Sequence, residues 1–280
     1  MIDKNSVSEF DLIIEPGRLG KNYWNDIWKY RELFFFLAWR DILVRYKQTV
    51  IGLAWSLIRP FLTMVVFTVI FGQLAKFPSN GIPYPILVYA AMLPWQFFST
   101  SFSDSSNSLI GNSNMLTKIY FPRVIIPAST VIVNFVDFLI SFLIFIGLLF
   151  WYHFTPSWNI LTLPLFFLWV VLISMSTGLY VAAVNVKYRD FKYIVPFVVQ
   201  FGLYISPVGF TSNIVPEKWR LLYSLNPMVG VIDGFRWAII GNSFPIYLPG
   251  LFLSLGMTLL FVFVGIRYFR KVEKTFADLI

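Results

Sequence analysis

Residues 45–60, RYKQTVIGLAWSLIRP, place positive charge at the start of an apolar segment and again inside it. Arg45 and Lys47 come directly before the apolar residues, and Arg59 follows about three helical turns later. A soluble domain seldom has a charge in such surroundings, because burying an unpaired charge is costly. The stretch therefore indicates a chain that meets a membrane.

The composition of the whole chain indicates a helical membrane protein. Of the 280 residues, 58% are hydrophobic and 13% are charged, and the mean hydropathy is +0.71. Four long runs contain at most one charged residue: Val124–Tyr152, Phe154–Val186, Tyr193–Pro216 and Trp237–Ile266. Each run exceeds the roughly 20 residues that cross a bilayer as a helix. The sequence therefore predicts an all-α polytopic membrane protein.

Six transmembrane helices are predicted, with boundaries at about residues 51–75, 84–104, 123–152, 158–184, 191–210 and 246–266. With this arrangement, 17 Lys and Arg residues lie on the side of the two termini and four lie on the other side. The positive-inside rule then predicts that both termini are cytoplasmic. The formal net charge of +8 fits cytoplasmic loops that face anionic headgroups and gives no reason to expect a nucleic-acid partner.

Two segments do not fit a simple spanning helix. Residues 25–47 have a short apolar centre between charges, which predicts a helix that lies along the cytoplasmic interface. Residues 213–242 predict two short helices that form a re-entrant pair from the outer side. Pro216 suits a helix start, Asn226 is a good N-cap before Pro227, and Gly241 suits a helix end. Such backbone survives in a bilayer only inside protein or along a cavity.

Several kinds of site are excluded or disfavoured by what the sequence lacks. The chain has no P-loop motif, no cysteine and a single histidine, His153. We therefore expect no metal site, no catalytic residue and no cofactor in this chain. Asp137 lies within a predicted span and leaves two hypotheses open: a functional charge, or a hydrogen-bonding partner of a neighbouring helix.

Aromatic residues crowd one end of the second predicted span, between hydroxyl side chains. Trp95, Phe98 and Phe102 alternate there with Ser99 and Ser101. Aromatic faces can stack on the C–H faces of sugar rings. Packing against lipid or protein is the alternative, since aromatic belts are ordinary in membrane proteins.

Four ordered blocks resemble one family. They are LAWRDILVRYKQTVIGLAWSLIRPFLTMVVFTVIFG (37–72), YPILVYAAMLPWQFFSTSFSDSSNSLIGNSNMLTKIYFPRVIIP (84–127), NVKYRDFKYIVPFVVQFGLYISPVGF (185–210) and LNPMVGVIDGFRWAI (225–239). The family is that of the ABC-2-type permeases that export polysaccharides and polyol phosphates, such as O-antigen, capsule and teichoic acid. The resemblance covers nearly the whole chain, about residues 25–270.

The resemblance implies a membrane subunit that works as a homodimer with two copies of a separate ABC ATPase, which binds the ATP and Mg²⁺. It implies a multi-pass protein of the bacterial inner membrane, in contact with membrane lipids, that exports an undecaprenyl-linked glycan. The implied domains are a cytoplasmic N-terminal segment with the interface helix (1–48), the ABC type-2 transmembrane domain (49–272) and a cytoplasmic tail (273–280).

The resemblance also assigns roles to residues. Arg45, Lys47 and Arg59 are expected to contact the lipid phosphate of the substrate. For Arg45 and Lys47 the alternative is snorkelling to phospholipid headgroups, for which Arg59 lies too deep. The segment Ser105–Tyr120 resembles the coupling segment that docks on the ATPase, with the expected contacts Asn107, Ile110, Asn112, Asn114, Met115 and Leu116. The expected lining of the channel and gate is Trp95, Phe98, Phe102, Tyr204, Phe210, Tyr223 and Phe235.

Three alternatives stay open on sequence grounds. The chain could be an ABC-2 exporter of a smaller lipid, drug or peptide. A membrane-embedded glycan or lipid enzyme would need paired acids or a His/Asp set, which the sequence does not show. A passive channel or sensor would form no complex with an ATPase. No residue in the sequence marks which glycan is carried.

Overall fold

The computed structural model describes residues 23–47, 50–79, 81–116, 118–274 and 276, without the side chains of Trp24, residues 50–57 and Arg59. Residues 1–22 of the predicted N-terminal segment (1–48) and residues 277–280 of the predicted tail (273–280) lie outside the described residues. The described residues form eleven α-helices: α1 Tyr23–Lys29, α2 Arg31–Lys47, α3 Val50–Phe67, α4 Tyr84–Gly111, α5 Ser113–Leu116, α6 Ile125–Trp151, α7 Leu163–Lys187, α8 Phe191–Ile205, α9 Glu217–Tyr223, α10 Pro227–Ile240 and α11 Leu248–Glu273. A π-helical segment, Thr68–Leu74, continues α3.

Helix starts follow local chemistry. Proline occupies the first or second position of α4, α7, α10 and α11, where its missing N–H costs nothing. Asn226 caps α10 by accepting from the N–H of Met228 at 3.0 Å, and Gly241 ends it with a φ of +79°. The predicted cap and end of this helix are therefore confirmed. Pro216 precedes α9 by one residue and does not lie within it.

Within the described ranges, three helices combine the length and hydropathy of a membrane span: Ile125–Trp151, Trp158–Lys187 and Leu248–Glu273. They correspond to the third, fourth and sixth predicted spans. Pro60–Leu74 and Phe191–Ile205 are shorter apolar helices. Three helices end at other residues than the predicted spans: α4 runs to Gly111, α11 runs to Glu273, and α8 ends at Ile205, where Ser206 turns the backbone to an extended conformation.

Helix α4 lies at the centre of the helical core and packs on α6, α7 and α10. Most of its side chains from Ile86 to Phe97 are buried. Tyr89 stacks on Phe145 of α6 at a centroid distance of 5.9 Å. Serines occupy the tighter contacts, and Ser105 of α4 donates to the carbonyl of Pro127 on α6 at 3.1 Å. This mixed surface explains why α4 is long yet less apolar than the three clear spans.

Gly265 allows α11 to lie against α7. A Cβ atom at this position would be 2.4 Å from the carbonyl oxygen of Ser176, whereas one at Gly256 of the same helix would meet nothing within 4 Å. We expect Gly265→Val to separate the two helices and to destabilise the fold by about 1–3 kcal/mol, as overpacking does. Thermal unfolding in detergent should show a lower midpoint for Gly265→Val and an unchanged one for Gly256→Val. Equal midpoints would contradict the close approach.

Candidate functional site

Arg45, near the end of α2, joins this helix to α4 and α6. Its guanidinium donates to Oδ2 of Asp104 on α4 at 2.9 Å and to Oδ2 of Asp137 on α6 at 2.6 Å. It also donates to Oδ1 of Asn134 at 2.9 Å, and the Asn134 amide donates to Asp104 at 3.1 Å. With Tyr46, these residues form what we call the interface cluster.

The interface cluster is bonded throughout but not sealed from solvent. The side chains of Arg45, Asp104 and Asp137 are 38%, 37% and 25% exposed. Burial alone would lower the pKa of Arg45, but the two carboxylates outweigh it and raise that pKa. The Tyr46 hydroxyl donates to Asp137, and burial together with this carboxylate raises the pKa of Tyr46. Both donors therefore stay protonated at neutral pH.

The cluster bears on the two hypotheses for Asp137. This carboxylate accepts from Arg45 and Tyr46, which both belong to α2. The expected hydrogen bond to a neighbouring helix is thus confirmed, with the N-terminal helix α2 as the neighbour, and a functional role of the charge stays a prediction. Sequence analysis had paired none of these residues, because Arg45 and Asp137 are 92 positions apart.

The other two predicted phosphate-contact residues lie near α2 and on α3. Lys47 is exposed at the last position of α2. Arg59 belongs to α3, but its side chain lies outside the described residues. The guanidinium of Arg45, by contrast with the exposed Lys47, faces two carboxylates.

The segment predicted to couple to an ATPase is only partly a loop. Residues up to Gly111 continue α4, and Ser113–Leu116 form the short α5. Asn112 between them accepts from Arg40 of α2 at 3.2 Å. The segment therefore contacts α2.

The predicted coupling contacts differ in exposure. Ile110 and Asn114 are exposed, whereas Leu116 is buried and Met115 packs against the same small core. Asn107 and Asn112 are half-buried. The Asn107 amide donates to the carbonyl of Ser103 at 2.9 Å. Sequence reasoning missed two exposed apolar residues of the same surface, Ile119 (56% exposed) and Tyr120 (53% exposed).

The predicted lining residues do not share one surface. Phe98 lies between Trp95 and Phe102 on α4, with centroid distances of 5.6 Å and 5.7 Å. Trp95 and Phe102 are each only 5% exposed in this chain. The six-membered ring of Trp95 packs against Gly202 of α8, where a Cβ atom would be 2.6 Å away. This aromatic row is therefore covered in part by α8.

The four lining candidates outside α4 differ in exposure. Tyr204 on α8 is 61% exposed, and Phe210 is half-buried. The hydroxyl of Tyr223 donates to the carbonyl of Ile205 at 2.7 Å. Phe235 is fully buried in the main core and packs edge-on against Phe138. In this conformation Phe235 therefore has no surface that could face a channel.

Arg236 on α10 is a buried arginine whose structural role sequence reasoning missed. It is 0% exposed, and its guanidinium donates to three carbonyl oxygens: Leu87 at 3.1 Å, Phe210 at 2.9 Å and Val208 at 3.0 Å. It therefore joins α10 to α4 and to the turn after α8. A lone arginine between apolar residues of a capped helix is the signal that could have identified it.

A second polar cluster connects the two ends of the described chain. The backbone N–H of Arg123 donates to the carboxylate of Glu273 at 2.9 Å, and the Tyr23 hydroxyl bonds the same carboxylate. Arg270 lies over the Tyr23 ring at 4.9 Å. Burial, followed by the Glu273 charge, raises the pKa of Tyr23, so its hydroxyl stays a donor. Helix α1 is thus fixed to the end of α11.

Comparison with known proteins agrees with this architecture. The chain is 26% identical over 256 residues to an O-antigen export system permease protein, RfbA, of Myxococcus xanthus, covering 90% of this chain and 97% of the relative. An RfbA protein of Klebsiella pneumoniae is 26% identical over 259 residues (89% and 95% covered). The polysialic acid transport protein KpsM of Escherichia coli is 21% identical over 240 residues (84% and 91% covered). The family model of the ABC-2 type transporter matches residues 32–240, so the chain belongs to the ABC-2 type transporter family.

Proposed function

We propose that this chain is the membrane subunit of an ABC transporter that exports a lipid-linked polysaccharide, such as O-antigen, across the bacterial inner membrane. The observation that carries the proposal is its similarity along nearly the whole length to O-antigen export permeases. In the proposed assembly, two copies of this chain pair with two ABC ATPase subunits, which bind ATP and Mg²⁺. ATP hydrolysis in those subunits drives an undecaprenyl-linked glycan outward between the two copies.

The proposed topology has six spans and cytoplasmic termini. In addition to the three clear spans, α3 with its π-helical continuation, α4 and α8 cross the membrane. The bias of Lys and Arg supports the orientation. Helices α9 and α10 form the re-entrant pair, and 12 of the 14 residues of α10 are buried in protein. Its burial within protein supports this, because irregular backbone at membrane depth must be covered.

We assign the cytoplasmic surface of Ile110, Asn114, Ile119 and Tyr120 to ATPase docking. Exposed apolar side chains at a polar boundary are typical of protein contacts. Asn112 connects this surface to Arg40 of α2, and α2 connects to the interface cluster. A push on the docking surface is thereby transmitted to α6 as well as to α4.

The docking surface predicts a specific loss of complex formation. Ile119→Asp places a charge in the proposed contact, so we expect at least about a tenfold weaker ATPase complex. Ile214, 41% exposed at the other end of the molecule, supplies the matched control, Ile214→Asp. Affinity of the purified chain for the ATPase checks both variants. A complex unaffected by Ile119→Asp would remove this surface from the docking site.

For the substrate phosphate we propose Lys47 and Arg59, together with Arg45 of the interface cluster. Lys47 is exposed two residues after Arg45. A pyrophosphate accepts charge-assisted hydrogen bonds from such side chains. Arg45 already forms two ion pairs, so we propose that its main role is to position α2. Its effect on the substrate is indirect, through the position of that helix.

The experiment that tests the function is ATP turnover by the chain reconstituted with its ATPase, with and without lipid-linked glycan. Stimulation by the glycan-linked lipid is the expected result, with the stimulation reduced in Arg59→Ala. Stimulation by the lipid carrier alone would instead favour an exporter of a smaller lipid. Failure to form an ATPase complex would contradict the proposal as a whole.

A further inference from the structure

A groove of about 830 Å³ runs along the outward face of α11 and is bounded on one side by Tyr23 of α1. The part of the groove that comes first along α11 is apolar and is lined by Leu259, Val262, Phe263 and Ile266. Residues four apart on a helix lie one above the other. These four side chains therefore form two adjacent rows on one face.

The same two rows become basic towards the end of α11. Arg267, Arg270, Lys271 and Lys274 continue them directly. Among the described residues that line the groove, Glu273 is the one acidic side chain, and it is 5% exposed and bonded by the backbone of Arg123. The described residues at the open end of the groove therefore carry four cations and one acidic side chain, so this end is positively charged.

The change from apolar to basic takes place within one step of the helix, between Ile266 and Arg267. The apolar half from Leu259 to Ile266 rises about 10 Å, which lies within the roughly 15 Å depth of one leaflet's hydrocarbon. The basic half rises about 10 Å as well and matches the headgroup region in scale. The apolar half of the groove thus corresponds to the acyl chains of a phospholipid, and the basic half corresponds to its headgroup.

We propose that this groove binds one anionic glycerophospholipid of the cytoplasmic leaflet, with an acyl chain along the apolar half and the phosphate among the four cations. The leaflet rests on the orientation given under the proposed function. Charge selects the occupant, since a zwitterionic lipid brings its own cation into a basic site. Basic pockets at the cytoplasmic side of membrane helices bind acidic headgroups in this way.

The bound lipid contacts the place where α1 meets α11. Tyr23 forms a wall of the groove and also bonds Glu273, while Arg270 lies over its ring. A lipid phosphate near Arg270 therefore meets the contact that fixes α1. The lipid stabilises the N-terminal helix in its docked position.

Lipid retention by the purified full chain tests the proposal. We compare phosphatidylglycerol with phosphatidylcholine by native mass spectrometry for the wild type and for a variant with Arg267→Gln, Lys271→Gln and Lys274→Gln. A variant with Lys187→Gln, Arg189→Gln and Lys192→Gln removes the same charge from exposed positions at the end of α7, in the following loop and at the start of α8. We expect phosphatidylglycerol retention to fall at least about tenfold in the groove variant only. An equal fall in both variants, or no preference for phosphatidylglycerol, would overturn the proposal.

A photoreactive phosphatidylglycerol with a diazirine in its acyl chain locates the site. We expect labelling of the peptide that contains Leu259–Ile266 in the wild type and its loss in the groove variant. If millimolar inorganic phosphate binds to the groove and no acyl labelling is found, the four cations bind a free anion, and the proposed lipid site would be overturned. Neither measurement uses ATP or glycan, so each outcome is independent of the export function.

Discussion

Arg45→Met is expected to reduce glycan-stimulated ATP turnover by about tenfold while leaving the chain folded. The substitution keeps the length of the side chain but leaves the carboxylates of Asp104 and Asp137 facing each other without their shared cation. Unpaired like charges are costly, although solvent access to this half-exposed cluster limits the loss of stability to about 1–2 kcal/mol. The main effect is therefore on coupling, because α2 is no longer fixed to α4 and α6.

Two further variants separate this effect from a general one. Arg31→Met removes an arginine from the same helix that lies over the Trp28 ring of α1 at 5.6 Å and has no part in the proposed link, and we expect a much smaller change in turnover. Adding Asp104→Asn and Asp137→Asn to Arg45→Met removes the repulsion and should restore the unfolding midpoint but not the coupling. Full turnover in Arg45→Met would show that the cluster has no part in transmission.

Arg236→Met is expected to have the largest effect on stability. It leaves three carbonyl oxygens, those of Leu87, Val208 and Phe210, without the donors that now satisfy them. Each unsatisfied buried group costs about 1–3 kcal/mol. We expect a total loss of about 3–5 kcal/mol, as for a broken buried charge network, because the Leu87 carbonyl also lies within helix α4 and is not left wholly unsatisfied. This corresponds to a fall of roughly 10 °C in the unfolding midpoint.

Thermal unfolding of the purified chain in detergent measures this loss. Arg236→Lys should rescue it only in part, because an ammonium group cannot reproduce the fork geometry that reaches two elements at once. The exposed Arg189 provides the control Arg189→Met, for which we expect no change. A midpoint for Arg236→Met within 2–3 °C of the wild type, less than about 1 kcal/mol, would show that water or side chains take over the three carbonyls.

Local signals predicted local structure well. The cap at Asn226 and the end at Gly241 follow from backbone chemistry within a few residues, and α10 begins and ends as predicted. The long apolar runs likewise predicted α6, α7 and α11. The end of α4 was not predictable in this way, since the serines and asparagines after Ser105 favour a loop by propensity. Burial against α6 and α7 makes them helical instead.

Partners distant in sequence could not be predicted from one chain. Nothing near Arg45 indicates that its carboxylates come from positions 104 and 137, and Arg236 was counted as an outer loop cation. The number of aromatic residues likewise does not predict which way each side chain points. Phe235 and Tyr204 were both expected to line a channel, yet Phe235 is fully buried and Tyr204 is 61% exposed. Direction depends on which face of a helix its neighbours cover.

The buried guanidinium of Arg236 also bears on biogenesis. A helix that carries Asp233 and Arg236 is costly to release into lipid from the translocon, at roughly 2.5–3.5 kcal/mol for each charge at mid-depth. The acceptors of Arg236 all precede it in the chain and are therefore synthesised first. We expect α10 to be inserted onto an already assembled scaffold of α4 and α8. A ribosome-bound chain truncated within α8, which lacks α10, should therefore still have the preceding helices in their native order.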